Sequence, residues 1–183
     1  LQHVRTHARA FLDQAEKERQ ERVAEWRRAE APLVQELRAA GYDVETAWDL
    51  IGTTESYSKV LPILLDHLAR PYPAPVREGI ARALAVPEAK EHWSSLARLY
   101  AEEGDGRAKD GLAATLAAVS DDEVIGDVLR LVRDRQNGPS RVLLLSALEH
   151  STSAGVEAAL VEATSDPELK QQAELTLRRL KAK

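Results

Sequence analysis

The nine residues Val76-Arg77-Glu78-Gly79-Ile80-Ala81-Arg82-Ala83-Leu84 are written again further along the chain. They recur as Ala108-Lys109-Asp110-Gly111-Leu112-Ala113-Ala114-Thr115-Leu116 and as Ser140-Arg141-Val142-Leu143-Leu144-Leu145-Ser146-Ala147-Leu148, with a fainter copy at Leu169-Lys170-Gln171-Gln172-Ala173-Glu174-Leu175-Thr176-Leu177. In every copy the second residue is basic; an apolar residue follows three positions later and a leucine seven positions later. The basic residues Arg77, Lys109, Arg141 and Lys170 stand 32, 32 and 29 residues apart. A period in that range marks an array of small units, each unable to bury its own apolar face and so stacked on its neighbours.

Composition agrees with helices. Apolar residues make up 44% of the chain and charged residues 30%, but aromatics only 4%. A core built from Leu, Ala and Val suits close-packed helices better than a sandwich or barrel, which draws on β-branched and aromatic residues. The net charge of −5 weighs against a nucleic-acid backbone as partner. With no cysteine there is no disulfide, thiolate metal site or cysteine nucleophile, and this leaves the compartment open. No run reaches the roughly 18–20 apolar residues of a membrane span, and no signal-peptide pattern is present. The expected setting is cytoplasmic, away from membranes.

Outward from the repeated stretch, helix pairs can be placed on both sides. Residues 1–31 read as one charged helix with a broken apolar stripe (Val4, Ala8, Phe11, Ala15, Val23, Trp26). It is polar on all sides over Glu16–Arg22, which suits a solvated capping helix and also allows a dimerisation or docking helix. Pro32 is expected to open a second helix that ends at Gly41, and Asp43 to cap a short one closed by Gly52. These form an atypical first hairpin over 32–53. Regular units follow at about 55–87, 88–119, 120–150 and 153–183. In them Pro62 should bend its helix, Asp105 should cap the helix after it, and Ser120-Asp121-Asp122-Glu123 has capping-box spacing. Ser165-Asp166-Pro167-Glu168 offers the last helix its cap. The fold class is all-α: a helical array of four to five pairs over 32–183, preceded by a long N-terminal helix.

Units whose second helix opens Val-Arg-x-x-x-x-x-Leu, after a turn containing Asp, Asn or Pro, resemble HEAT repeats. Residues 57–90 carry the clearest likeness, with Pro62, Asp66 and Val76-Arg77 followed by Ala81, Ala83 and Leu84. The short period is similar to the compact bacterial HEAT-like class named for its occurrence in phycobilisome lyases, and the likeness covers 57–181. The tetratricopeptide pattern, with its set Trp, Gly-Tyr and late Pro, is not met. The resemblance implies an α-solenoid with a right-handed superhelix, the second helix of each unit on the concave side, and use as a binding surface without chemistry of its own.

The ladder Arg77, Lys109, Arg141, Lys170 could hold phosphate, but acidic residues are interleaved along the same helices. The resemblance to HEAT-like arrays implies instead that it stitches units together through turn carbonyls and acids, for which Asp66, Asp105, Asn137 and Asp166 lie close enough in sequence. If the second helices line a concave face, helical geometry turns positions one, five and eight after each ladder residue toward a partner. Those are Glu78, Arg82 and Ala85; Asp110, Ala114 and Ala117; Val142, Ser146 and Glu149; and Gln171, Leu175 and Arg178.

The remaining candidates are weak. His3 and His7 share helical spacing without a third metal ligand. His67, His92 and His150 are expected to complement helix dipoles. Ser56-Tyr57-Ser58-Lys59 matches a Ser-x-x-Lys string without its partner motifs. Trp48 and Trp93 are expected in the core, Trp26 and Tyr72 as possible partner anchors. No cofactor is implied. The function expected is a non-enzymatic protein-interaction or scaffold module, its partner another protein, with self-association through the N-terminal helix as an option. A nucleic-acid-binding or base-repair protein and a chromophore-lyase-type chaperone are the alternatives.

Overall fold

In a computed structural model of the protein the backbone is described over residues 2–182, and the side chains over residue 9 and residues 11–182. The described residues form nine α-helices and short 3-10 turns, with no strand.

The first helix, α1 (Gln2–Ala39), runs through Pro32 instead of breaking there. Pro inside a helix costs about 3 kcal/mol. The residues around it outweigh that cost. Trp26, Glu30, Leu33 and Leu37 fall on one stripe that keeps its phase across the proline, and Leu33, Val34 and Leu37 are buried, each contributing about 1.5–3 kcal/mol. Pro32 itself faces solvent. The helix stops where expected: Gly41 takes the left-handed conformation (φ 99°), its N–H donates to the Arg38 carbonyl, and Tyr42 N–H reaches back to Leu37. That is a Schellman termination, which glycine makes without steric cost.

A 3-10 turn at Ala47–Leu50 follows, with Ala47 and Leu50 in the core. Asp49, not Asp43, organises it, accepting from the N–H groups of Glu45 and Thr46 at 2.8 and 2.9 Å. Four helix pairs come next: α2 (Leu61–Leu68) with α3 (Ala74–Ala83), α4 (Trp93–Glu102) with α5 (Gly106–Val119), α6 (Ile125–Arg133) with α7 (Arg141–Leu148), and α8 (Val156–Ala163) with α9 (Lys170–Lys181). Pro62 lies in the first turn of α2, where its missing N–H has no intrahelical partner to lose, and so it does not bend the helix. Asp105 caps α5 as expected, accepting from Arg107 and Ala108 N–H. The capping box at Ser120 does not form: Ser120 donates to the Ala117 carbonyl and closes α5, and α6 begins only at Ile125. Asp166 likewise stands ahead of α9, its side chain accepting from Glu168 N–H in the turn and its carbonyl accepting from Lys170 N–H.

The helices contact one another in chain order. Besides the contact within each pair, α3 lies on α5, α5 on α7 and α7 on α9, while the 47–50 turn and the C-terminal part of α1 cover the free side of α3. One apolar core, from Leu33 to Ala173, runs through all of them. The α3–α5 seam is close enough that a Cβ on Gly111 would stand 3.1 Å from the Glu78 carbonyl oxygen. Across the same seam the fully buried Thr115 hydroxyl donates to the Ala81 carbonyl at 2.5 Å. No helix of the described residues is long and apolar enough to cross a membrane.

Candidate functional site

The ladder residues occupy the first turns of α3, α5, α7 and α9. The Arg77 guanidinium reaches the Leu68 carbonyl at 3.4 Å and the Glu103 carboxylate at 2.5 Å. Arg141 repeats both bridges two units along. It donates to the Val132 carbonyl at 3.0 Å, nine residues back as Leu68 is from Arg77, and to Asp166 at 2.9 Å. Gly138 and Glu168 complete its shell at 2.8 and 2.5 Å. Each arginine thus fastens the end of its own first helix to the turn of the next unit. Lys109, with one compact ammonium instead of a fork, holds the Glu103 carbonyl at 3.3 Å and lies 5.0 Å above the Tyr100 ring. Lys170 is exposed and unpaired among the described residues, which contain no further helix pair for it to fasten.

Burial and charge act against each other in this ladder. Burial disfavours the Arg141 guanidinium, but hydrogen bonds to Asp166 and Glu168 more than offset it and hold its pKa above the ordinary value. The Arg141 bond in turn holds Asp166 below the usual carboxylate range. Burial pushes Lys109 down, against the opposing charges of Glu103 and Asp134. Burial also raises the Tyr100 hydroxyl to about 12, and that group is hydrogen bonded to Ser140 at 2.9 Å.

Some of the positions expected to face a partner fall into two clusters. Glu78, Arg82 and Asp110 come together: Arg82 Nε donates to Glu78 at 3.0 Å, Arg107 pairs with the other Glu78 oxygen, and Asp110 is raised by burial, against the charge of Arg82. Glu78 is almost covered by this cluster. At the other end Glu149 pairs with Arg179, beside the exposed Arg178. Ser146 and Gln171 are exposed and Val142 half-buried, without bonds tying them to either cluster.

No known family, curated protein or solved structure matches the chain.

Several placements depart from the sequence expectation. His67 lies in the last turn of α2, near the helix end as expected, but is fully buried, its Nε2 3.1 Å from Glu36 on α1 and its Nδ1 2.7 Å from the Tyr72 hydroxyl. Its spacing from Leu61 and Leu64 on the buried stripe of α2 is the signal that could have shown this. Trp48, expected in the core, is 40% exposed, whereas Trp93 is buried and donates to Asp127 at 3.0 Å. The exposed ion pairs of Lys90 with Asp121 and Glu123, and the Asp122 carboxylate accepting from Ser151 and Thr152, tie loops of successive units and have no sequence pattern of their own. Glu30, Arg107 and Trp48 form no motif either, because elements far apart in sequence bring them together. Among the described residues no three His, Asp or Glu side chains converge as a metal site. His3 and His7 lie outside the described side chains.

From residue 11 to residue 22 every side chain of α1 is exposed, including Phe11 at 75% and Leu12 at 65%. This part of the helix stands off the core, held in shape by local pairs such as Arg19 with Glu16 at 2.7 Å.

Proposed function

We propose that the chain is a short HEAT-like α-solenoid that serves as a non-enzymatic protein-binding scaffold. The observation that supports this most is the order of contact, in which α3, α5, α7 and α9 each lie against the next. Such a stack leaves one row of helix faces turned outward, and the row lengthens with every unit. Here the row carries Arg82, Asp110, Ser146, Gln171 and Arg178, polar and of both signs. A surface of that kind selects its partner by charge complementarity and register more than by apolar burial. The projecting half of α1, with Phe11 and Leu12 bare, is a second contact surface, for self-association or for docking.

The test is affinity capture from the cells that make the protein, comparing the native chain with an Arg82→Glu, Glu149→Arg double variant whose helicity is checked by circular dichroism. A partner held by the native chain and lost by the variant supports the outward row as the binding face. A partner held equally by both removes that face from consideration, and deletion of residues 1–22 then asks the same question of α1.

A further inference from the structure

Between α1, the 47–50 turn and the first turns of α3 and α5 lies a cavity of about 200 Å³. Trp26 and Trp48 line it, and Val23, Pro75 and Val76 make the rest of its apolar wall. The Trp48 indole lies against Gly79, where a Cβ would overlap the ring, and that contact fixes its place. Glu30 also lines the cavity and is only 3% exposed. One of its carboxylate oxygens accepts the Ala47 N–H at 2.7 Å; the other has no donor among the described residues.

The charges around the cavity are unequal in an instructive way. The two guanidiniums on its wall already have acids: Arg27 has Glu45 at 3.6 Å, and Arg107 has Glu78. Glu30 has no cation partner among the described residues. Its pKa is raised, first by burial and then by the charge of Asp49, against the Ala47 hydrogen bond. The second oxygen of this mostly buried carboxylate opens onto the cavity, where a donor or a positive charge can meet it. The Arg107 guanidinium already stands over the Trp26 ring, 6.0 Å from its centroid, and the Trp48 indole presents the same negative side of the aromatic quadrupole to a further cation.

We infer that this cavity binds a compact organic ammonium group, seated between Trp26 and Trp48 with its charge against the free oxygen of Glu30. Two sources share that chemistry, a small free amine and a lysine side chain, methylated or not, on a partner protein. The inference does not depend on the outward row of α3–α9.

The experiment follows tryptophan fluorescence of the full chain during titration, since two of its three tryptophans line the cavity. The ligands are tetramethylammonium, a short Gly/Ser peptide with one central lysine or trimethyl-lysine, and tert-butanol as the neutral isostere. Saturable change with the cations and none with tert-butanol is expected. Glu30→Gln, which can still accept from Ala47, should weaken binding about tenfold or more, the loss of a charge-assisted contact. In the native chain, binding should also weaken as acid protonates Glu30, a readout that needs no variant. A peptide that binds more tightly than tetramethylammonium assigns the site to a partner's lysine, and equal binding assigns it to a free amine. No saturable response, or binding indifferent to both Glu30→Gln and acid, overturns the inference.

Discussion

At Arg141 a residue that a surface reading would hand to a phosphate is 2% exposed and bonded to four separate groups. Removing one partner of a buried ion pair is destabilising because the other is left without compensation. Arg141→Met should therefore lower unfolding free energy by about 2–4 kcal/mol in urea titrations. Lys170→Met, at the equivalent but unpaired position, should change it by less than about 0.5 kcal/mol. Equal effects would mean that the ladder does not fasten units. Glu30 makes the opposite prediction. Its folded pKa is raised, so the native state binds its proton more tightly than the unfolded chain does. The associated stability is fully present below the unfolded value and is lost as pH rises through the folded one. Glu30→Gln, which stays neutral, should melt higher than the native chain in neutral buffer, and the gap should close in acid. A variant that melts lower at neutral pH would show that the ionised carboxylate is satisfied in a way the free oxygen does not suggest.

Between elements, distances of a few ångströms set the outcome. Gly111→Ala gains about 1 kcal/mol of helix propensity. The new Cβ, however, meets the Glu78 carbonyl at 3.1 Å and Ala81 Cβ at 3.2 Å, backbone and a short side chain that can yield only if α3 moves. Overpacking of that kind costs about 1–3 kcal/mol, so the substitution should be net destabilising by chemical denaturation; a stabilised variant would mean that α3 and α5 part easily. The same scale explains how much could be read beforehand. Gly41 and Asp105 were legible because a Schellman glycine and an N-cap depend on a few adjacent residues. Pro32 misleads because the breaker rule is local, while the stripe Trp26, Glu30, Leu33, Leu37 that overrides it spans three turns. Ser120 misleads because its hydroxyl can serve the helix behind it as well as the one ahead. Of the candidate sites, the ladder was legible from its period. The Glu30 cavity was not, since it exists only where α1, the 47–50 turn and α3 meet.

For the whole molecule, contact that runs mainly from each helix pair to the next has a thermodynamic signature. If the units stack as proposed, stability becomes a sum of units and of the interfaces between them. Deleting residues 153–183 removes α8 and α9 and uncovers the flank of α7, but leaves the contacts of α1–α5 untouched. The shortened chain should keep the ellipticity of its remaining helices and unfold at lower urea. Loss of all helical signal would instead indicate a single cooperative body and count against the solenoid reading. Along this stack the anchored end of α1 has one more property. Phe11 stands about 22 Å along the helix from Trp26, and the intervening side chains touch little of the core. A pivot of about 10° at the root would swing Phe11 through about 4 Å, so the arm acts as a pointer that magnifies small shifts at its base. The cavity beside Glu30 and Trp26 lies at the base of that arm.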